Sequence, residues 1–272
     1  MNQKRILFIG AHPDDADILC GGTAIKLSRA GHAVKFVSLT NGDTGHHILS
    51  RKETAERRYN EAQTAAKAFG VCEYQILDHD CGIEPTLELR KEVIRIIRKF
   101  APDVVITHRL CDYHPDHRAT AQAVQDSAFV CMVPHFCDDV PIPEKSPVFA
   151  FSYDRFLEPR PHRADAMVEI DSVKEEKITA LSNHVSQMFE WLPWSAGNKT
   201  FDASKLDERG KRDHIEKLCL TRFKNATDAN RERLCEIYGK EKAEKIVYAE
   251  TFEMSPYSRT VPLEEFQALL DS

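Results

Sequence analysis

The sequence lacks the features that would direct a protein to a membrane or to nucleic acid. No run approaches the roughly 20 apolar residues that a membrane-spanning helix needs. The first residues lead directly into a short apolar strand, without the apolar stretch of a signal peptide, which predicts a cytoplasmic protein. The formal net charge of -6 argues against nucleic acid or an anionic membrane as a partner.

Paired cysteines are also absent. The eight cysteines form no CxxC motif and have no regular spacing, whereas a cysteine zinc site needs closer pairing. We therefore expect reduced thiols, several of them buried. With 42% hydrophobic and 29% charged residues among 272, the chain has the composition of an ordinary globular protein.

Short apolar runs alternate with amphipathic stretches in the first half of the chain. The runs predict strands at residues 6–9, 34–39, 74–77 and 104–106. Such alternation is typical of βαβ units, so we expect a three-layer αβα sandwich with a mostly parallel, Rossmann-like sheet. The second half predicts strands at residues 148–151 and 167–170 and helices at residues 172–185 and 206–238. Without an internal repeat or a flexible linker, one domain should span residues 1–272.

Two polar motifs follow predicted strands, at the edge where sheets of this kind bind ligands. Residues 11–15 (AHPDD) follow the first strand, and residues 112–117 (DYHPDH) follow the fourth. His12, Asp15 and His117 would form a two-histidine, one-carboxylate site for a divalent metal. Three protein ligands leave a position open for water, as catalytic zinc requires.

Asp14 and His114 are the predicted catalytic side chains. Asp14, adjacent to the ligand Asp15, would point elsewhere and take a proton from the water. His114, three residues before His117, would face the same cavity and stabilise charge that develops on a substrate carbonyl. One HPDD loop also fits a simple turn with a helix N-cap, but two such motifs at neighbouring strand ends favour an active site.

Other functions fit the pattern less well. A non-haem iron oxygenase also uses two histidines and a carboxylate, but it usually has a β-sandwich or jelly-roll scaffold and needs no second acid. A nucleotide-binding domain would need a GxGxxG turn, which residues 9–14 lack, and two aspartates would repel a pyrophosphate.

The two motifs resemble those of the LmbE-like, PIG-L-type family of zinc-dependent N-acetylglucosaminyl deacetylases. Residues 11–15 with residues 21–23 (GGT) match the family's first motif, and residues 114–117 (HPDH) match its second. Softer matches extend over much of the chain, at residues 40–42, Arg58 with Glu61, Asp80, residues 184–187 and residues 249–252.

The resemblance implies a hydrolase that releases acetate from a small molecule containing N-acetylglucosamine. It makes zinc ligands of His12, Asp15 and His117, with Fe2+ as an alternative metal. Asp14 becomes the general base, and a protonated His114 becomes the partner of the oxyanion. The expected partner is the N-acetylated sugar substrate, and a homo-oligomer is compatible with the sequence. A family member that only binds metal or sugar is the remaining alternative.

The resemblance also suggests contacts around this centre. Arg58 and Asp80 would bind substrate hydroxyls and His184 would reach the site, although Arg58 also fits a solvated helix face and His184 an internally bonded helix histidine.

Asp116 would orient His114 or His117 through a hydrogen bond, or cap the following helix. Trp191 and Trp194 would stack on a sugar ring, or belong to the core or to a subunit interface.

Overall fold

A central sheet is built from short strands whose side chains are buried on both faces. The computed structural model describes residues 3–271. The strands are β1 (Arg5–Gly10), β2 (Ala33–Ser38), β3 (Glu73–Ile76), β4 (Val104–Thr107), β5 (Val148–Ser152), β6 (Ala166–Glu169) and β7 (Ala249–Met254). Within residues 3–271 they form one sheet in the order β3-β2-β1-β4-β5-β7-β6. The pairs from β3 to β5 are parallel, whereas β7 runs antiparallel to β5 and β6.

Strand β1 shows how the sheet is covered. Ile6 and Phe8 lie in one apolar cluster, whereas Leu7 and Ile9 lie in a second cluster on the other face. Successive side chains of a strand point to opposite faces, so an unbroken apolar run suits a strand between two layers. The predicted three-layer αβα sandwich with a mostly parallel sheet is confirmed.

Helices supply the two outer layers. They are α1 (Asp15–Arg29), α2 (Arg51–Phe69), α3 (Leu87–Phe100), α4 (Pro115–Val130), α5 (Lys174–Leu181), α6 (Leu192–Ser195), α7 (Glu208–Ile215), α8 (Thr221–Ala229), α9 (Arg231–Tyr238), α10 (Lys240–Ala243) and α11 (Leu263–Leu270). None of these helices, within the part of the chain that is described, is long and apolar enough to cross a membrane.

Helix α1 begins in the first motif and packs very closely against its neighbours. A Cβ atom on Gly21 would lie 2.4 Å from Phe69, and one on Gly22 would lie 2.5 Å from Ile170. No side chain larger than hydrogen fits at these distances without movement of the neighbours. The two glycines therefore allow the close approach of α1 to α2 and to the segment after β6.

A buried ion pair in the second half of the chain holds α1 in place by hydrogen bonds to its backbone. Glu250 in β7 accepts hydrogen bonds from the backbone N–H groups of Gly22 and Thr23, each at 2.8 Å. Lys177 in α5 donates to Glu250 at 2.6 Å and to the carbonyl of Ile18 at 2.7 Å. Both charged side chains are fully buried, so each depends on the other for neutralisation.

The second half departs from prediction in its helices. The helix expected at residues 172–185 ends at Leu181, and a π-helical turn follows over Ser186–Trp191. The helix expected at residues 206–238 is also wrong, because the chain there divides into α7, a π-helical turn, α8 and α9. The strands expected near residues 148–151 and 167–170 are confirmed as β5 and β6, whereas β7 is not predicted. The single domain stays a prediction.

Candidate metal centre

Four loops meet at the carboxyl edge of the sheet, beside the point where the strand order reverses. Residues 11–14 follow β1, residues 39–50 follow β2, residues 77–86 follow β3 and residues 108–114 follow β4. Sheets of this kind bind their ligands at such a switch point. The structure brings together the side chains of the two motifs there.

Asp15 lies at the middle of the cluster with one carboxylate oxygen fully engaged. Its Oδ2 accepts hydrogen bonds from the backbone N–H groups of Ala11 and His12 at 2.9 and 2.8 Å, and lies 3.1 Å from Nε2 of His108. Its Oδ1 lies 3.4 Å from Nε2 of His117. Burial raises the pKa of Asp15, but His117 and His108 outweigh burial and hold it well below its ordinary value.

Each of His12 and His117 lies between two carboxylates. One ring nitrogen faces Asp15, and the other ring nitrogen faces a second aspartate. Nδ1 of His12 is 3.6 Å from Asp15, and its Nε2 is 3.2 Å from Asp116. Nδ1 of His117 is 3.1 Å from Asp112. Outer carboxylates of this kind orient metal-binding imidazoles. Burial lowers the pKa of both rings, but the carboxylates raise that of His12 to about 9 and that of His117 to about 10.

The donor atoms form three overlapping groups that suit a divalent metal. Among residues 3–271, ligand atoms lie within 4.8 Å of one another in the groups His12, His114 and His117; Asp15, His108 and His117; and His12, Cys81 and Asp116. No group contains all three predicted ligands, but each predicted ligand belongs to at least one, and His117 joins the first two. Imidazole nitrogens with a carboxylate oxygen are donors that zinc takes in catalytic sites, so the residues present fit such an ion.

The carboxylate of Asp14 contacts Arg58. Nη2 of Arg58 donates to Oδ1 of Asp14 at 2.7 Å, and its Nη1 donates to the carbonyl of Gly42 at 3.0 Å. Asp14 makes no side-chain hydrogen bond as a helix cap, so the simple turn-and-cap interpretation is wrong. Arg58 is buried, and the alternative of a solvated helix face is wrong as well.

His114 caps α4 and lies against the predicted ligands. Its Nδ1 accepts a hydrogen bond from the backbone N–H of Asp116 at 3.2 Å. Its ring centre is 4.6 Å from that of His12 and 4.9 Å from that of His117. Burial, His12 and His117 lower the pKa of His114 to about 4. This lowered pKa favours a neutral His114 over the expected protonated one, and a neutral ring whose Nδ1 accepts from Asp116 carries its proton on Nε2.

Asp116 contacts a different histidine from those expected. The predicted partners were the side chains of His114 or His117, but Oδ2 of Asp116 lies 3.2 Å from Nε2 of His12. Its Oδ1 accepts a hydrogen bond from the backbone N–H of Gly82 at 2.9 Å. Asp116 therefore links the loop after β3 to the first motif.

Known proteins match this chain in sequence. The PIG-L family, described as GlcNAc-PI de-N-acetylase, matches residues 7–128. The diacetylchitobiose deacetylase of Thermococcus kodakarensis is 32% identical over 203 residues, which cover 70% of this chain and 73% of that relative. The chain belongs to the PIG-L family.

Solved structures extend the likeness over most of this PIG-L protein. The N,N'-diacetylchitobiose deacetylase of Pyrococcus horikoshii matches with a TM-score of 0.67 and 25% identity, covering 94% of this chain and 85% of that one. The 4-carboxy-2-hydroxymuconate hydratase of Pseudomonas putida matches with a TM-score of 0.70 but 20% identity, over 95% and 98% of the two chains. The second likeness shows the fold alone. The family predicted from the motifs is confirmed and favours a deacetylase over an iron oxygenase or a nucleotide-binding domain.

Two predicted substrate contacts of the PIG-L protein differ sharply in their surroundings. Asp80 is at the open rim, with 69% of its side chain exposed and Oδ2 3.3 Å from Arg51. His184 is fully buried, and its Nε2 lies 2.8 Å from Oδ1 of Asp17. This burial favours the alternative of an internally bonded helix histidine over a substrate contact.

Trp191 and Trp194 pack against the loop that follows β2. Their ring centres are 5.5 Å apart, and the ring of His47 stacks on Trp194 at 4.7 Å. Lys199 lies over the Trp194 ring at 3.0 Å. Trp194 thus has His47, Trp191 and Lys199 against its ring, which favours anchoring of the loop over stacking on a sugar.

Sequence reasoning missed His108, Asp112 and Cys81. His108 directly follows β4 and contacts Asp15, Asp112 contacts His117, and Cys81 belongs to a group with His12. The available signal was position, because each residue lies in a loop at the same edge of the sheet.

Proposed function

We propose that this PIG-L protein is a zinc-dependent N-deacetylase, which hydrolyses the acetamide of a small molecule containing N-acetylglucosamine and releases acetate. The observation that carries the proposal is the buried carboxylate of Asp14, held by Arg58 beside a cluster of imidazoles and a carboxylate. A hydrolytic centre needs metal ligands and a separate proton acceptor, and Asp15 and Asp14 divide these two functions.

His12, Asp15 and His117 would hold the metal. When bound, zinc supplies Lewis-acid chemistry that polarises an amide carbonyl and makes a water molecule more acidic. The same donors would also accept Fe2+. Asp116 and Asp112 fix the rings of His12 and His117 from outside, since each carboxylate lies within 3.2 Å of the far ring nitrogen.

Asp14 takes the proton of the attacking water and delivers it to the departing amine. Arg58 holds the carboxylate in place through Oδ1, which leaves Oδ2 for the proton. Arg58 acts through Asp14 in this proposal and not on a sugar hydroxyl, because its side chain is buried and donates to Asp14 and Gly42.

His114 stabilises the negative charge that develops on the carbonyl oxygen. The Nδ1 atom accepts the N–H of Asp116, so the Nε2–H group is the donor available to an oxyanion. A neutral donor suits a site in which a bound divalent metal already supplies positive charge.

The expected substrate is a small glycoside or disaccharide. Asp80 is exposed at the rim and would accept hydrogen bonds from ring hydroxyls. Acetate release should be measured from N-acetylglucosamine, diacetylchitobiose and N-acetylglucosaminyl derivatives of inositol and malate, with 4-carboxy-2-hydroxymuconate as a test for hydration. We expect zinc-dependent acetate release from at least one sugar. Hydration of the muconate, or faster release from acetamides without a sugar, would contradict the proposal.

A further inference from the structure

His108 touches two of the proposed metal ligands. We propose that His108 is a positioning residue of the metal centre, which restricts Asp15 to coordination through Oδ1 and sets the plane of the His117 ring. This inference rests on the proposed function, because it concerns the same ion. It adds a determinant of metal affinity that lies outside both sequence motifs.

The hydrogen bonds of Asp15 show why one oxygen is unavailable. Oδ2 accepts hydrogen bonds from the backbone N–H groups of Ala11 and His12 at 2.9 and 2.8 Å, and Nε2 of His108 lies 3.1 Å away. The backbone nitrogen of Ala11 is also 3.3 Å from Nε2 of His108, and we assign the ring proton to Nε2 because the carboxylate of Asp15 is the stronger acceptor. Oδ2 then has three donors. A carboxylate oxygen offers two lone pairs, so these donors saturate it. Oδ1 faces His117 instead. Rotation of the carboxylate would break all three contacts of Oδ2.

The ring of His108 is itself tightly held. It stacks face to face on His117, with ring centres 4.1 Å apart and an interplanar angle of 0°. The Phe8 ring lies nearly perpendicular to it, with ring centres 6.2 Å apart. Only 3% of His108 is exposed. The preceding residue, Thr107, donates a hydrogen bond to the carbonyl of Ile9 in β1 at 2.8 Å. The pairing of β1 with β4 therefore determines where the donor to Asp15 lies.

The stacking excludes His108 as a ligand of the same ion as His117. The ligand atoms of Asp15, His108 and His117 are close enough to form a metal site. An imidazole nitrogen, however, directs its lone pair within the ring plane. Two parallel rings stacked 4.1 Å apart cannot direct both lone pairs at one ion, so His108 acts on the ion through Asp15 and His117.

Two substitutions separate the donor of His108 from its ring. His108→Phe keeps a ring against His117 but removes the donor, and His108→Gln keeps a donor near the position of Nε2 but removes the ring. His184→Gln is the matched control, because His184 is equally buried and bonds to Asp17, which lies outside the three groups of donors. The dissociation constant of zinc should be measured by chelator competition and the coordination by the visible spectrum of the cobalt-loaded protein.

We expect His108→Phe to weaken zinc binding about 10-fold to 100-fold, the effect typical of a lost partner of a metal ligand. Its cobalt spectrum should change, because Oδ2 of Asp15 becomes free to coordinate. His108→Gln should weaken zinc binding by only about threefold, a change near 0.6 kcal/mol, because it keeps the donor to Asp15 and loses only the ring that lies against His117. His184→Gln should lower the melting temperature without changing zinc affinity.

Several outcomes would overturn the inference. Wild-type zinc affinity and cobalt spectrum in His108→Phe would show that the donor is irrelevant. Equal loss of zinc affinity in both His108 variants would contradict an effect through the donor to Asp15. A wild-type protein that binds neither zinc nor cobalt would contradict the proposed function itself, and this inference with it.

Discussion

Arg58 donates a hydrogen bond to the carboxylate of Asp14 at 2.7 Å, and both side chains are almost completely buried. The carboxylate of the next residue, Asp15, contacts two histidines instead, His108 and His117. Two adjacent aspartates therefore have separate surroundings, one next to an arginine and the other among histidines. This separation allows the proton acceptor and the metal ligand to be tested independently.

Asp14→Asn should abolish turnover while it leaves the metal in place. The amide oxygen can still accept the hydrogen bond of Arg58 but cannot take a proton. We expect kcat to fall by about two to four orders of magnitude, measured as acetate release from the best substrate. Zinc content by elemental analysis is the control and should not change. Near-normal kcat in a zinc-loaded Asp14→Asn protein would show that another group accepts the proton.

Arg58→Met should destabilise the protein, because it leaves the charge of Asp14 buried without a partner. Breaking a buried pair in this way typically costs about 3–5 kcal/mol in the free energy of unfolding, which urea denaturation would measure. The double variant with Asp14→Asn should lose less than the sum of the two single variants. Strict additivity would indicate that the two side chains do not interact.

Asp80→Ala should weaken catalysis without affecting the fold. The side chain is 69% exposed, so its loss should leave the melting temperature and the zinc content unchanged. We expect kcat/KM to fall at least about tenfold, or 1.4 kcal/mol. Asp78→Ala is the matched control, since Asp78 is an exposed carboxylate in the same loop. Equal effects of the two substitutions would remove Asp80 from the substrate site.

The stability of the metal-free protein should fall as the pH rises through 9 to 10. Despite burial, Asp116 raises the pKa of His12 to about 9, and Asp15 raises that of His117 to about 10, from an ordinary value of 6.5. A raised pKa in the folded state contributes stability that is complete below about 6.5 and is lost as the folded-state groups deprotonate.

The stabilisation that zinc gives the protein should rise with pH over the same interval, since zinc binds the deprotonated imidazoles. Melting temperatures with chelator and with zinc, recorded from about pH 6 to 10, would separate the two curves. His117→Gln should flatten the alkaline decline of the metal-free protein. A decline of unchanged steepness in that variant would assign the effect to other groups.

Lys177→Met should be one of the most destabilising substitutions outside the metal centre. It would leave the fully buried carboxylate of Glu250 without a counter-charge, at about 3–5 kcal/mol in the free energy of unfolding. The double variant with Glu250→Gln should recover part of that loss. Lys174→Met is the control, because Lys174 pairs with the partly exposed Glu216 and should cost about 1 kcal/mol or less. Similar losses for both lysines would contradict this interpretation.

The strands of the first half could be predicted because each contains a short apolar run, and such a run between turn residues is typical of a buried strand. Strand β7 could not be predicted, since it places Glu250 and Glu253 at fully buried positions. Their charges are offset by Lys177 and Arg160, which are 73 and 93 residues away in the chain. A local pattern carries no information about partners at that distance.

The metal centre was predictable to the extent that its residues lie in two short motifs. His108 is a single histidine at a strand end, and its contact with Asp15 exists only once β1 and β4 are paired. The burial of His184 could not be predicted for a similar reason, because its partner Asp17 lies 167 residues away. A buried and an exposed histidine look the same until their neighbours are known.

The contact of Lys177 and Glu250 with helix α1 also bears on how the chain could be divided. Residues 7–128, which match the family, include His12, Asp15 and His117 but neither member of the ion pair. That segment is therefore not a self-sufficient unit that could be transplanted between proteins. A chimera that joins it to the second half of another relative would bury the backbone of residues 18–23 against foreign side chains, and we expect it to be less stable where no acid stands at the place of Glu250 to accept the N–H groups of Gly22 and Thr23.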